Sequence, residues 1–281
     1  VGPTQLQDAV PMTLGQEFEA FSVNLSEDID RLHEACQLLC EVNLGGTAIG
    51  TGINTHADYS RLAISYLAKL SGKPMVPAAN LIEATSDMGA FVLFSGVLRR
   101  FAIKLSKISN DLRLLSSGPR TGLGEIQLPP MQPGSSIMPG KVNPVIPEAV
   151  NQTAFQVIAN DMAVTLGAEA GQLQLNAMEP LIIYNLLNSM RMLGEACRML
   201  EHRCIRGIKA NRERCAELLD ISIGSITALV PYIGYSNASR IAQTALHTGG
   251  TVRELILAEG LLSEERLEYL LSPQNMLAPR S

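Results

Sequence analysis

Apolar residues recur at three- and four-residue steps from Leu14 to Val42, through Phe18, Phe21, Leu25, Ile29, Leu32, Cys36 and Leu39. The spacing predicts one long helix. Similar patterns predict three more long helices, from Ser86 to Ser117, from Pro144 to Ala170 and from Pro180 to about Ala210. A shorter amphipathic helix is expected from Tyr59 to Leu70, stopped by Ser71, Gly72 and Pro74. The texture changes near Cys215. Ile221–Val230, Ala238–Thr248, Val252–Glu259 and Ser263–Leu271 read as small helices around turns at Gly234 and Gly249-Gly250. The expected fold class is all-α. A long-helix bundle domain occupies residues 1–215 and a small C-terminal helical domain occupies 216–281.

Two segments interrupt this periodicity. Asn43–Asn54 reads NLGGTAIGTGIN, and four glycines in it imply unusual backbone conformations or a close approach to another segment. Thr121–Gly140 is rich in Gly and Pro, and aperiodic loops of that length usually carry function or move. It leads into a helix with Asn143 as the expected N-cap and Pro144 at the first helical position.

Composition adds an assembly argument. Charged residues make up 17% of the 281, against about 25% in ordinary soluble domains. Between Ala149 and Met190 the only charges are Asp161, Glu169 and Glu179. Helices apolar on nearly all sides are buried in a large core, which a bundle shared among several subunits supplies. Homo-oligomerisation is therefore expected. A net charge of −5 with no basic patch argues against nucleic acid. The charge-poor stretches still carry Asn, Gln, Asp and Glu, so none reads as a membrane span. No secretory signal pattern opens the chain. Five cysteines without Cys-x-x-Cys spacing read as reduced thiols, which predicts a cytoplasmic protein without a metal site.

The segment Gly134-Ser135-Ser136-Ile137-Met138-Pro139-Gly140-Lys141-Val142-Asn143-Pro144 concentrates the candidate chemistry. Two hydroxyls, a lysine and an amide precede a helix N-terminus, whose unpaired N–H groups and partial positive charge attract anions. A carboxylate pocket with a hydroxyl beside it is one reading. On local grounds Asn143 reads equally as a plain helix cap, Ser135 and Ser136 as turn residues and Lys141 as a solvated charge. No His lies close by, so a Ser-His-Asp triad is not indicated.

GSSIMPGKVNP at 134–144 resembles the signature of the aspartase/fumarase superfamily, and the resemblance runs along the whole chain. Thr4–Pro11 (TQLQDAVP) is similar to the family's second motif and Asn43–Asn54 to its glycine loop. Asn110-Asp111-Leu112-Arg113 with Ser117-Gly118-Pro119-Arg120 resembles a further shared block, and the tail from Ser222 the small C-terminal domain of the fumarase and aspartase branch. The resemblance implies a homotetramer built on a twenty-helix core, with active sites shared between subunits. It implies a small dicarboxylate substrate that loses an amine or alcohol to release fumarate, with no cofactor.

Position by position, the resemblance makes Ser135 the base that removes the Cβ proton. It makes Ser136, Lys141 and Asn143 contacts to the substrate carboxylates and Thr4 a further substrate contact. Gln5 stands where fumarases usually have a water-handling His, and is implied to touch substrate. Glu148 matches an acid that pairs with the lysine; locally it reads equally as a first-turn acid favoured by the helix dipole. Val145-Ile146-Pro147-Glu148 with Asn151-Gln152, and Glu169–Asn176, look like aspartases. That branch eliminates ammonia from L-aspartate. The alternatives are fumarate hydration in the same fold and a non-catalytic helical assembly module. Two departures stand out. Pro3 replaces a usual Arg, and the family's first domain, with its own substrate-binding motif, has no counterpart in the sequence. The expectation is a fragment of a longer enzyme, or a site completed by another chain.

Overall fold

The computed structural model describes residues 1–277. In chain order its elements are β1 (Gly2–Thr4), β2 (Gln7–Val10), α1 (Leu14–Leu38), β3 (Glu41–Val42), α2 (Tyr59–Ser71), β4 (Val76–Pro77), α3 (Glu83–Ser86), α4 (Gly89–Leu115) and β5 (Ile126–Gln127). They continue with α5 (Val145–Glu169), α6 (Glu179–Arg203), β6 (Lys209–Ala210), α7 (Arg212–Ile221), α8 (Ile226–Ile233), α9 (Tyr235–Thr248), α10 (Val252–Ala258), α11 (Glu264–Leu270) and α12 (Pro273–Leu277). The all-α expectation holds, because the six strands are two to four residues long and pair only two by two.

The chain divides into two compact units. The larger comprises Phe21–Leu114 and Leu128–Ile208; the smaller comprises Val1–Ala20, Leu115–Gln127 and the chain from Lys209 onward. This division is discontinuous in sequence, unlike the single boundary near residue 215 drawn from the texture of the sequence.

In the larger unit, polar contacts fix how the long helices meet. Asp28 on α1 is fully buried and pairs with Arg100 at 2.9 Å and Lys104 at 3.3 Å on α4. Asp161 on α5 accepts hydrogen bonds from Ser95 Oγ at 2.7 Å and Arg99 Nη1 at 2.6 Å. Asn160 Nδ2 donates to Ser189 Oγ on α6 at 3.0 Å. The turn from α5 to α6 is held by buried Asn176, whose Nδ2 donates to the carbonyls of Gly167 and Ala168 while its Oδ1 accepts the Met178 N–H. The hydrogen bonds at Asp161, Asn160 and Asn176 satisfy buried polar groups that would otherwise cost about 1–3 kcal/mol each, whereas the Asp28 oxygens face their cations without a hydrogen bond. The other faces of α5 and α6 are apolar and open within a single chain: Phe155 is 60% exposed, Leu166 58% and Tyr184 67%.

Helix ends depart from the periodicity in two places. The first helix stops at Leu38, and Glu41–Val42 pair in parallel with Val76–Pro77. The helix after Pro180 stops at Arg203, and Lys209–Ala210 pair with Ile126–Gln127. Both reassigned stretches satisfy their backbone with distant partners, which local periodicity does not register. No single helix among the described residues is long and apolar enough to cross a membrane.

The smaller unit packs Leu229, Ile241, Ile256 and Leu267 into its core. Arg214 donates through Nε to the Leu123 carbonyl at 3.1 Å and through Nη2 to that of Gly122 at 3.4 Å. Burial holds the carboxyl of Glu125, in the same segment, above its ordinary range. Helix α1 opens with a capping box: Gln16 N donates to Thr13 Oγ1 and Thr13 N to Gln16 Oε1. A second box, Thr251 with Glu254, opens α10.

The five cysteines are unpaired. Burial pushes the Cys204 thiol up to about 11, so about one in a thousand is ionised at pH 8. Cys36 is exposed. Disulfide-exchange labelling of the native chain is expected to modify Cys36 first and to leave Cys204 unmodified until denaturant is added; early labelling of Cys204 contradicts its burial.

Candidate active site

The signature loop is closed by its own backbone. Pro133 and Val142 form an antiparallel bridge, and Gly134 N donates to the Lys141 carbonyl at 2.7 Å. Gly140 turns the chain with a φ of 81°. The result is a short lasso, in the larger unit, whose base runs directly into α5.

Asn143 is not the N-cap. Helix α5 starts at Val145 with Pro144 in the capping position and no side-chain cap. The Asn143 amide instead donates to the Gly134 carbonyl at 3.5 Å, across the base of the lasso. The structural reason is Pro144: its φ of −78° and ψ of 58° carry Asn143 out of capping geometry. The first N–H groups of a 25-residue helix are thus left without a side-chain acceptor. The Val145 N–H is held by the Asn143 carbonyl at 2.9 Å, the Glu148 N–H by that of Pro144 at 3.2 Å, and Pro147 has none. Of the first turn only the Ile146 N–H is open among the described residues, at the positive end of the helix dipole.

Around this terminus Ser135 is half-buried, and its Oγ accepts the Ile137 N–H at 3.2 Å. A donor aimed at a hydroxyl oxygen favours its ionised form. Ser136 and Lys141 are exposed, and Lys141 has no carboxylate within 4 Å among the described residues. Glu148, in the first turn of α5, makes no ion pair there either, so the expected Lys141–Glu148 pair is not formed within the chain. No group of three or more His, Cys, Asp or Glu side chains among the described residues is placed to hold a metal.

Thr4 and Gln5 belong to the smaller unit, at the tip of the β1–β2 hairpin. Gln5 and Leu6 form its turn with φ of 53° and 59°. Both values lie in the left-handed region, which costs non-glycine residues about 1 kcal/mol or more each. A two-residue turn with both φ positive normally takes Asn-Gly. Here the strain is retained with the side chains of Thr4, Gln5 and Leu6 all exposed, the condition expected of a tip that presents groups to a ligand.

Two residues entered the sequence reading only as parts of family-like segments, with no role assigned. Asn151 and Arg113 join α5 to α4 by a hydrogen bond of 3.2 Å. The available signal was the Asn151-Gln152 amide pair in a charge-poor helix and an Arg inside the Asn110–Arg113 block.

A long-helix bundle with a serine-bearing lasso at the start of α5 is the class that this fold and loop define. A family model described as a lyase matches residues 1–159, more than half of the chain, and the chain belongs to that family. A second model, the C-terminus of fumarase C, matches residues 226–278. Among relatives, the aspartate ammonia-lyase of Pseudomonas aeruginosa is 67% identical over all 281 residues, covering 59% of that protein. The aspartate ammonia-lyase of Escherichia coli K12 is 56% identical over 279 residues, covering 99% of this chain and 58% of that protein. A crystal structure of a fumarate lyase:delta crystallin from Brucella melitensis bound to cobalt superposes with a TM-score of 0.95 at 60% identity, covering 99% of this chain and 60% of that one. A class II fumarase from Schistosoma mansoni gives 0.91 at 34% identity, covering 100% and 62%. The chain spans about three-fifths of the length of the curated relatives it matches.

Proposed function

We propose that this chain takes part in eliminating ammonia from L-aspartate to give fumarate. The observation that carries the reading is the closed lasso at the start of α5, which holds Lys141 and Asn143 together with a serine whose oxygen receives an amide N–H. Ser135 Oγ, ionised by its donors and the local positive field, takes a proton from Cβ of the substrate. The electron pair moves into the adjacent carboxylate as a doubly charged aci-form. Lys141, Asn143, Ser136 and the helix terminus stabilise that extra charge more than the substrate's single charge, which is the condition for catalysis. The pair then returns to form the double bond as the Cα–N bond breaks. Ammonia leaves with protons it already carries, and the serine proton passes to solvent.

The leaving group follows from Gln5. An amide cannot act as an acid, and ammonia needs one less than hydroxide does. The names and identities of the relatives support the same branch. Thr4 and Gln5 contact substrate from the strained hairpin tip, and Glu148 supports the lysine across an assembled site. The open apolar faces of α5 and α6 bury against copies of the chain in a homotetramer, with sites shared between subunits. Five unpaired thiols suit the cytoplasm.

The test is ultraviolet detection of fumarate formed from L-aspartate. It is run on this chain and on a fusion carrying the part of the Pseudomonas aeruginosa relative that the chain does not match. Fumarate formation by the fusion supports the reading. Hydration of fumarate without reaction of L-aspartate replaces it with a hydratase, and reaction of neither leaves an assembly module.

A further inference from the structure

We infer that Arg113 and Asn151 are positioning residues that hold the start of α5 in place for the carboxylate; the inference rests on the lyase reading above. Asn151 lies in the second turn of α5 and is 4% exposed. Its Nδ2 donates to Ser106 Oγ at 2.8 Å and to the Ser106 carbonyl at 3.0 Å. Its Oδ1 accepts from Arg113 Nη1 at 3.2 Å, and the same nitrogen reaches Asn110 Oδ1 at 3.5 Å. One amide therefore ties α5 to two points about two turns apart on α4.

The register of the two helices shows why this place matters. Ser95 meets Asp161 and Ser106 meets Asn151, so α4 and α5 run antiparallel. Continued along α4, that register brings Arg113 level with the beginning of α5. Besides Asn151, the buried residues in the first two turns of α5 are apolar: Ile146, Pro147 and Val150. Apolar burial is non-directional and permits sliding. Hydrogen bonds with defined angles do not. Of the first-turn residues of α5 only Ile146 carries an N–H without a partner among the described residues, and its aim, with that of the helix dipole, depends on what holds the second turn. Misplacing a binding group by about 1 Å can cost about 10²-fold in rate.

Arg113 is exposed, so replacing it opens no cavity. In the active fusion, Arg113→Met is expected to lower kcat/KM by about tenfold or more, mostly in kcat, because the aci-form depends on the terminus more than the substrate does. Arg113→Gln keeps an N–H for Asn151 and is expected to recover most of that loss. In an Asn151→Ala background, Arg113→Met is expected to cost little more. Equal losses in the Met and Gln variants would make the effect one of charge and overturn the inference. So would unchanged kinetics, or losses that only follow Tm.

Amide hydrogen exchange in the first turn of α5 reads the same contact without turnover. Arg113→Met is expected to speed exchange there and Arg113→Gln to leave it near the parent rate; unchanged exchange in both overturns the inference. A parent fusion that forms no fumarate overturns the lyase reading, and the exchange result still decides the contact.

Discussion

Ser135→Ala is expected to reduce fumarate formation from L-aspartate by about 10²–10⁴-fold, the range that a positioned general base contributes. Little change in Tm should accompany it. Ser135 is half-buried in a loop, and among the described residues its side chain makes one hydrogen bond, accepted from the Ile137 N–H. Losing it returns a near-surface amide to water, which costs little. Closure of the lasso rests on backbone pairing of Gly134 with Lys141 and of Pro133 with Val142, which the substitution leaves untouched. The effect should fall on kcat, because the base acts on the reacting proton and not on the bound carboxylates. Ser136→Ala should also lower kcat, but by less, because it removes one of several groups that stabilise the aci-form and leaves the base in place. Near-parental turnover in the Ser135 variant would remove it from the mechanism and shift attention to Ser136.

The lasso was legible in the sequence because its chemistry is local. Glycines and prolines mark the irregular backbone, and Pro144 marks the helix start within one residue. The role of Asn143 was not legible as a single answer. An Asn before a helix suggests a cap, and only the backbone angles at Pro144 show that it faces the lasso instead. The long helices were legible for a similar reason, since each buries one continuous stripe. Their ends at Leu38 and Arg203 were not, because partners 35 or more residues away in sequence claim the backbone that follows. Helix α7 was missed because Arg212–Ile221 has no buried residue to imprint a period. The link between Arg113 and Asn151 is tertiary in the same sense. Neither residue predicts the other until α4 and α5 are laid antiparallel.

Gly50→Ala is expected to destabilise the chain by roughly 2–5 kcal/mol, from left-handed backbone strain of about 1–2 and overpacking of about 1–3. The glycine loop at Asn43–Asn54 has both properties that its composition suggested. Gly50 has a φ of 96°, and a Cβ built there would lie 2.3 Å from Ile82 N and 2.4 Å from Ile82 Cα. Those atoms belong to backbone beside α3, so no side-chain rotation relieves the clash. The loop is pinned where it stands: Gly50 N and Gly52 N both donate to the Gly46 carbonyl, and Ser60 Oγ donates to the Leu44 carbonyl at 2.7 Å. Gly72 supplies the control. It closes α2 with a φ of 64°, yet nothing lies within 4 Å of its would-be Cβ. Gly72→Ala should therefore cost only the backbone part, about 1–2 kcal/mol. Denaturant titration of the two variants separates the contributions. Equal losses would mean that the approach to Ile82 carries no energy and that the glycine is held only by its backbone angle. A larger loss at Gly50 assigns the difference to the contact, and makes the loop a rigid part of the larger unit.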